Sequence, residues 1–428
     1  MSEKKFNVDI AIVGGGASGL AAAVSAGKKA FSSGRKCRIV IIEKEKRTGK
    51  KLLATGNGRC NLTNKNMSEE FYNGSCRELI GDTVKKYGTD RIIAFFNSLG
   101  VVCKTDTQGR VYPNSEQASA VLDMLRINAA RYGAEEMCGC CVERITPSGN
   151  GFLIKTEDML INAEKVILTT GGKAQQKLGS DGSTYRLARM LGLKCSPIFP
   201  SLVPIKVKSD DMPFLKGIRT AAAVSLIADG KTVNNECGEL QLTQIGLSGI
   251  CVFQLSRFVN EFFASETVKG ETVKSISVSV DLMPNFTLDE VERMLFRRRK
   301  QLAFLTLEEF FTGLLNKKIG QCLLKKLKLL PLSRTSDTLG ERDVRSLARL
   351  IKDWRFQPSA MSDMDSAQVT AGGVVASEIN SKMQSVKYKN LYIAGEALDA
   401  DGLCGGYNLH WAFASGIIAG KEAVMGED

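Results

Sequence analysis

The 428-residue sequence predicts an α/β protein: a doubly wound, Rossmann-like domain on a parallel sheet, carrying an inserted small β-barrel plus a helical module. Three observations predict it. The apolar run 8–13 leads directly into Gly14-Gly15-Gly16-Ala17-Ser18-Gly19 and then an alanine-rich stretch to residue 30. A second β-branched run, 38–42, ends in Glu43, and near the other end of the chain 390–396 repeats the theme of a buried strand ending in an acid, Glu396. Between these ends, from about residue 197, the α/β pattern gives way to short alternating strands and then to basic helices.

The glycine run sits where a dinucleotide site needs it, between a strand and a helix. Gly14 permits the tight turn, Gly16 a close backbone approach to a pyrophosphate, and Gly19 the packing of helix on strand. The helix N-terminus offers free N–H groups to the phosphates. Glu43, at the second strand's end, is placed for a ribose hydroxyl, which argues against a 2′-phosphate and leaves FAD or NAD. The C-terminal clamp decides between them. Glu396 can hold a ribityl hydroxyl, and a helix opening at Gly406-Tyr407-Asn408 can face a flavin pyrimidine. An NAD enzyme has no use for such a second clamp, so the pattern reads as FAD.

Composition sets outer bounds. The chain is long enough for two or three domains. No apolar run is long enough to span a bilayer, and the apolar stretch after Met1-Ser2-Glu3-Lys4-Lys5 is the dinucleotide strand itself, so a cytoplasmic protein without a membrane partner is expected. The twelve cysteines are scattered. Cys138-Gly139-Cys140-Cys141 contains a C-x-x-C spacing but no second ligand pair, so no metal is expected, and 137–145 reads as one strand with small buried thiols. The formal charge of +12 is concentrated: 284–355 holds 16 Lys+Arg against 9 Asp+Glu. Without interleaved aromatics this reads as a solvated helical face, or as attraction for an anionic substrate, and not as a nucleic-acid site.

In chain order, the loop 50–64 mixes glycine, amide and cation, and Arg59 and Asn61 there can reach a phosphate or a flavin edge. Helices are expected over 87–99 and 115–132, flanking Gly109-Arg110-Val111-Tyr112-Pro113. Strands at 152–154 and 164–168 run into Thr169-Thr170-Gly171-Gly172, and a helix follows from 181 to 191. Alternating strands at 203–207, 221–227, 239–243 and 275–280 suggest the barrel, followed by a helical stretch over 288–328. The glycine-rich loop 399–406 precedes a final helix over 407–416. The domain limits expected are 1–196 with 369–428 for the cofactor domain, 197–283 returning at 356–368 for the barrel, and 284–355 for the helical module.

The stretches Gly14 to Gly19, Thr55-Gly56-Asn57-Gly58-Arg59-Cys60-Asn61-Leu62-Thr63-Asn64, Pro200-Ser201-Leu202-Val203-Pro204, Gly246-Leu247-Ser248-Gly249, Thr370-Ala371-Gly372-Gly373-Val374 and Gly395-Glu396 through Gly405-Gly406-Tyr407-Asn408 resemble a known family. It is the FAD-dependent oxidoreductase family that includes aminoacetone oxidase and the bile-acid-inducible dehydro-bile-acid reductase. The resemblance spans nearly the whole chain and specifies no single substrate. It implies non-covalent FAD held by Gly14, Gly16, Ser18, Gly19, Glu43, Arg59, Asn61, Thr170, Gly171, Glu396, Tyr407 and Asn408. The remaining expected cofactor contacts are Ala17, Lys44, Lys51, Leu52, Gly58, Cys60, Val142, Gly395 and Gly406. One position departs from the family, which carries Gln where this chain has His410.

Two enzyme readings follow. In the first, a nicotinamide, NADH or NADPH, binds transiently, since no second dinucleotide motif exists. It drives reduction of a carbon–carbon double bond conjugated to a carbonyl, as in a dehydro-bile-acid or steroid-like substrate. The proton donor or carbonyl polariser is then sought among His410, Tyr407, Tyr112 and Arg110. In the second, the protein is an oxidase of a small amine such as aminoacetone, using O2. A third reading, a flavin-bound protein associated with RNA modification, has only the basic helices behind it. The partners expected are a small-molecule substrate and the nicotinamide; the sequence leaves the oligomeric state open.

Overall fold

The computed structural model describes residues 4–425. Two compact units are found, one formed by residues up to Phe199 and from Ala367, the other by Pro200–Ser366. The first is built on β1 (Lys4–Val13), α1 (Ala17–Ser32) and β2 (Ile39–Glu43). β1 lies between β2 and the strand Met159–Leu168, parallel to both, with Ile12 beside Ile41 and Ile167. Ala134–Cys138 extends the sheet beyond β2, also in parallel.

The far edge of Met159–Leu168 is shared. Residues 160–163 pair antiparallel with Gly151–Thr156, while 166–168 pair parallel with Leu391–Ile393. Five parallel strands therefore deliver their carboxyl ends to one edge of the sheet. At that edge stand Gly14, Glu43, Thr169 and Ala394, where an open α/β sheet binds its ligand. Over 10–13, 39–42, 166–168 and 391–393 the inner strands are buried on both faces and read as apolar runs, while the edge strand Ala134–Cys138 carries exposed Glu135.

One face of this sheet carries a helix pair at unusually short range. α1 packs on the C-terminal helix Tyr407–Met425, which is nine residues longer than the 407–416 expected. A Cβ added at Gly416 would come within 2.3 Å of the Ser18 carbonyl, and one at Gly420 within 2.2 Å of the Ala22 carbonyl. Backbone lies on backbone, spaced by i and i+4 on each helix.

The second unit contains a closed antiparallel barrel in the order Ile205–Lys208, Gly246–Ser248, Lys231–Leu242, Arg219–Ala228, Ile276–Asp281, Trp354–Pro358. Alternate residues such as Val278, Val280, Trp354 and Phe356 are buried. The helices Ile250–Ser265, Leu288–Gln301, Lys317–Lys326 and Glu341–Lys352 share one apolar core with the barrel, through Leu255, Leu295, Leu323 and Leu347. Thr287 and Glu290 form a capping box that starts the second of these.

Several local expectations are corrected. The stretch 137–145 is not one strand. Gly139 turns the chain at φ +71° between Ala134–Cys138 and Val142–Ser148, leaving Cys140 buried and Cys141 exposed. The region 288–328 is two helices, broken by turns over 302–316. Helix 87–99 starts at Thr89, and a separate helix, Arg77–Lys86, precedes it.

The close helix pair gives a direct prediction. Gly420→Ala gains about 1 kcal/mol of helix propensity, but its methyl meets a carbonyl that cannot move without parting the helices. Overpacking of about 1–3 kcal/mol should win, and Gly420→Val should cost more. Urea denaturation reads both, and midpoints at or above wild type would refute the close approach.

Candidate functional site

The glycine loop is held from three sides. The carbonyls of Val13 and Gly14 face the Thr169 hydroxyl at 3.0 and 2.8 Å. Gly14 sits at φ +105°, and a Cβ there would lie 2.6 Å from the Thr169 carbonyl oxygen. The Gly15 N–H donates to Glu43 Oε2 at 2.7 Å, and Glu45 N–H donates to Oε1 at 2.9 Å. Each carboxylate oxygen keeps a lone pair for a further donor such as a ribose hydroxyl. Added Cβ atoms at Gly15 and Gly19 would also collide with the protein, whereas one at Gly16 would meet nothing within 4 Å. Space is thus left at the one glycine where a pyrophosphate must approach.

The second clamp is built at the other end of the chain. Glu396 pairs with Lys51 at 3.0 Å and accepts the Thr370 N–H at 2.9 Å. Thr370 Oγ1 in turn receives the N–H groups of Lys173 and Ala174 at 2.7 and 2.9 Å. Gly395 accepts from the Trp411 indole and donates to Ser415, which ties the strand exit to the C-terminal helix. The Asn408 side chain closes the glycine-rich loop, accepting from Gly402 N and donating to Gly402 O, both at 2.8 Å, so the part of Asn408 left for a ligand is its backbone N–H. Asn61 Oδ1 is buried without a hydrogen-bond partner, beside Gly406 at φ +103°. An orphaned acceptor, an open glycine and a helix N-terminus in one unit fit FAD in the chain's own geometry.

The other expected cofactor residues divide by environment. Lys44 is paired with Asp181 at 2.5 Å. Leu52 and Val142 are buried, and Ser18 lies against Gly395. Thr170 shares a hydrogen bond with Thr184, and Gly171 takes φ +73°. Ala17 begins α1, and Gly58 lies in the left-handed region at φ +82°. Burial pushes the Cys60 thiol up to about 12, so it stays protonated and unreactive. The Lys51–Glu396 pair, the Thr169 lock and the role of Thr370 escaped the sequence reading, because each depends on partners more than a hundred residues away. Among the described residues no cluster of metal-ligating side chains exists.

The candidate acids occupy unequal places. His410 is buried, and its Nδ1 lies 2.8 Å from the Thr63 hydroxyl, while Nε2 is buried without a hydrogen-bond partner. Burial pulls its pKa from 6.5 to about 4, with the Tyr87 backbone offsetting only part of the fall. A neutral imidazole bound to Thr63 suits a structural hydrogen bond better than a proton donor. Tyr407 is also spent: its ring packs on Phe71 at 4.9 Å and on Tyr72 at 6.0 Å, and its hydroxyl donates to the Asn66 carbonyl at 3.3 Å. Tyr112 differs. Its ring is buried under the Arg59 guanidinium at 4.6 Å, and its hydroxyl has no hydrogen-bond partner among the described residues.

The depressed His410 pKa links stability to pH. Between pH 6.5 and about 4 the unfolded chain binds a proton that the folded chain refuses, so stability rises with pH through this window and is fully present above it. Wild type should lose on the order of 2–3 kcal/mol more than His410→Gln on going down through the window. Urea unfolding of both proteins as a function of pH checks this. Parallel curves would show that His410 is not held neutral.

Comparison with known proteins finds relatives along nearly the whole chain. The HI0933-like protein Rossmann domain model matches residues 8–422. The chain is 37% identical to the 3-dehydro-bile acid delta(4,6)-reductase of Clostridium scindens, over 97% of this chain and 98% of that protein. It is 28% identical to the ribosomal RNA dihydrouridine synthase of Escherichia coli, again over 97% and 98%. Among solved structures, the 3-ketosteroid delta1-dehydrogenase of Sterolibacterium denitrificans superposes with a TM-score of 0.51 at 11% identity, covering 98% of this chain and 99% of that one, a likeness of fold alone. With a model matched across almost its full length and a relative this similar, the chain belongs to the HI0933-like Rossmann family and is an FAD-dependent oxidoreductase.

Proposed function

We propose that the protein is a reductase of a carbon–carbon double bond conjugated to a carbonyl, driven by NADH or NADPH that binds transiently, with FAD held non-covalently. The substrate class that best fits is a small unsaturated ketone of steroid or bile-acid type. The relatives support this reading through shared chemistry. The delta(4,6)-reductase is named for saturating such a bond. Dihydrouridine differs from uridine by saturation of a ring double bond that is likewise conjugated to a carbonyl. A small molecule is preferred over RNA because identity to the first relative is 37% and to the second 28%.

The observation that carries the reading is Tyr112. When bound, FAD supplies the hydride chemistry. The chain must supply a proton for the α-carbon. Tyr112 is the candidate whose hydroxyl is uncommitted among the described residues, whereas the Tyr407 hydroxyl is engaged by Asn66 and burial keeps His410 neutral. Its strand, Arg110–Pro113, pairs with Thr63–Asn64, and the Asn64 amide donates to the Gly405 carbonyl at 2.9 Å. That pairing sets Tyr112 in the same assembly as the helix N-terminus at Tyr407.

Anaerobic stopped-flow separates the half-reactions. The flavin should bleach with NADH or NADPH and recover on adding a 3-oxo steroid with a conjugated double bond. Tyr112→Phe should leave bleaching unchanged and slow recovery by on the order of a hundredfold. Bleaching by aminoacetone with recovery by O2, and no response to any unsaturated ketone, would overturn the reductase reading. Recovery with uridine-containing ribosomal RNA alone would overturn the substrate class. FAD that stays with acid-precipitated protein would overturn non-covalent binding.

A further inference from the structure

Around Tyr112 the donors outnumber the acceptors. Arg110 and Tyr112 are two apart on one short strand, so their side chains share a face. Arg110 lies near enough to both Tyr112 and Cys404 for their charges to act on one another. Asp106 receives Arg110 Nε at 2.8 Å and Arg110 N–H at 3.0 Å, which fixes the guanidinium but engages only one of its three nitrogens. Arg59 lies over the Tyr112 ring, with Nε directed to the Gly56 carbonyl at 3.3 Å. The nearby carboxylate of Glu116 is taken by Lys104 at 2.7 Å. Among the described residues the terminal nitrogens of both guanidiniums have no hydrogen-bond acceptor, although both side chains are partly buried.

Two oriented cationic forks without an acceptor, beside a free hydroxyl, are what a developing negative oxygen requires. We propose that Arg59 and Arg110 form an oxyanion subsite that holds the carbonyl oxygen of the unsaturated substrate as it becomes an enolate, with Asp106 as the positioning residue for Arg110. The inference rests on the reductase reading for its chemistry. FAD, held by the clamps at Glu43 and Glu396, would supply a hydride to the β-carbon at the expense of the nicotinamide. The carbon–carbon π pair moves to join the α-carbon to the carbonyl carbon, and the carbonyl π pair moves onto oxygen, between the guanidiniums. The enolate then collapses as the α-carbon takes a proton from Tyr112, which water replaces. The nicotinamide is oxidised and the alkene reduced by two electrons.

The test reads binding, so it is independent of turnover. An ionised phenol mimics an enolate in charge and shape, and its methyl ether removes the charge. Calorimetry on the oxidised, FAD-loaded protein at mildly alkaline pH compares 4-cyanophenol with 4-cyanoanisole. Wild type should prefer the phenol by about tenfold or more, as charge-assisted hydrogen bonds imply. Arg110→Gln and Arg59→Gln should each remove most of that preference with the ether's affinity unchanged. Arg110→Lys, which keeps the charge but not the fork, should retain part of it. Asp106→Asn should weaken the preference less than Arg110→Gln does. No preference in wild type, or a preference untouched in both Gln variants, would overturn the proposal. Loss of FAD from the Gln variants would also overturn it, by placing the guanidiniums on the cofactor. A protein that shows the phenol preference but reduces no unsaturated ketone would refute the reductase reading while leaving the subsite standing.

Discussion

The two helix N-termini at the ligand edge are set against each other by one contact, the near touching of two helix backbones. Ser18 and Ala22 of α1 offer their carbonyls to Gly416 and Gly420 of the C-terminal helix, at distances that admit no side chain. Each helix contributes its N-terminus to the ligand edge of the sheet, one after Gly16 and one at Tyr407. Free N–H groups at both termini act at short range only, since the dipole's influence fades beyond the first turn. Their separation must therefore be set closely, and backbone contact sets it more tightly than interdigitated side chains, whose rotamers give.

The same economy governs the polar groups. Glu43 restrains the phosphate loop while keeping lone pairs for a ligand, and Glu396 does likewise between Lys51 and Thr370. Thr169 and Thr370 restrain backbone turns through hydroxyls, without adding charge to a site that must receive a charged dinucleotide. His410 belongs with these. As a neutral imidazole on Thr63 it ties the C-terminal helix to the strand that leads, by way of Arg110–Pro113, to Tyr112.

The strand, glycine turn, helix and acid at the end of β2 were legible in the sequence because their signal is local. A β-branched run, fixed glycine spacing and an acid at a strand end each act within a few residues of one another. The barrel was legible only in part. Gly246–Ser248 is three residues long, too short to show an alternation, and Trp354–Pro358 follows a helix over a hundred residues from its barrel neighbour Ile205–Lys208. Helix Ile250–Ser265 was missed although Cys251, Val252, Leu255 and Val259 keep a helical spacing, because its β-branched and aromatic content masked the period. The chemistry near Tyr112 was visible as residue types and not as an arrangement. Nothing local says that Asp106 engages Arg110 or that Arg59 lies over a tyrosine fifty residues on.

The strand Leu391–Ile393 completes the parallel sheet beside a partner more than two hundred residues earlier, and the helix after it completes the cofactor site. During synthesis, α1 stays without its closest neighbour until almost the entire chain has left the ribosome, its small-residue face open to water. Flavin capture is consequently a late event, available only to a finished polypeptide. A chain cut short before Gly395 lacks the helix contact and the second clamp together, and a partly folded chain of that kind is a substrate for the proteases that clear unfinished proteins.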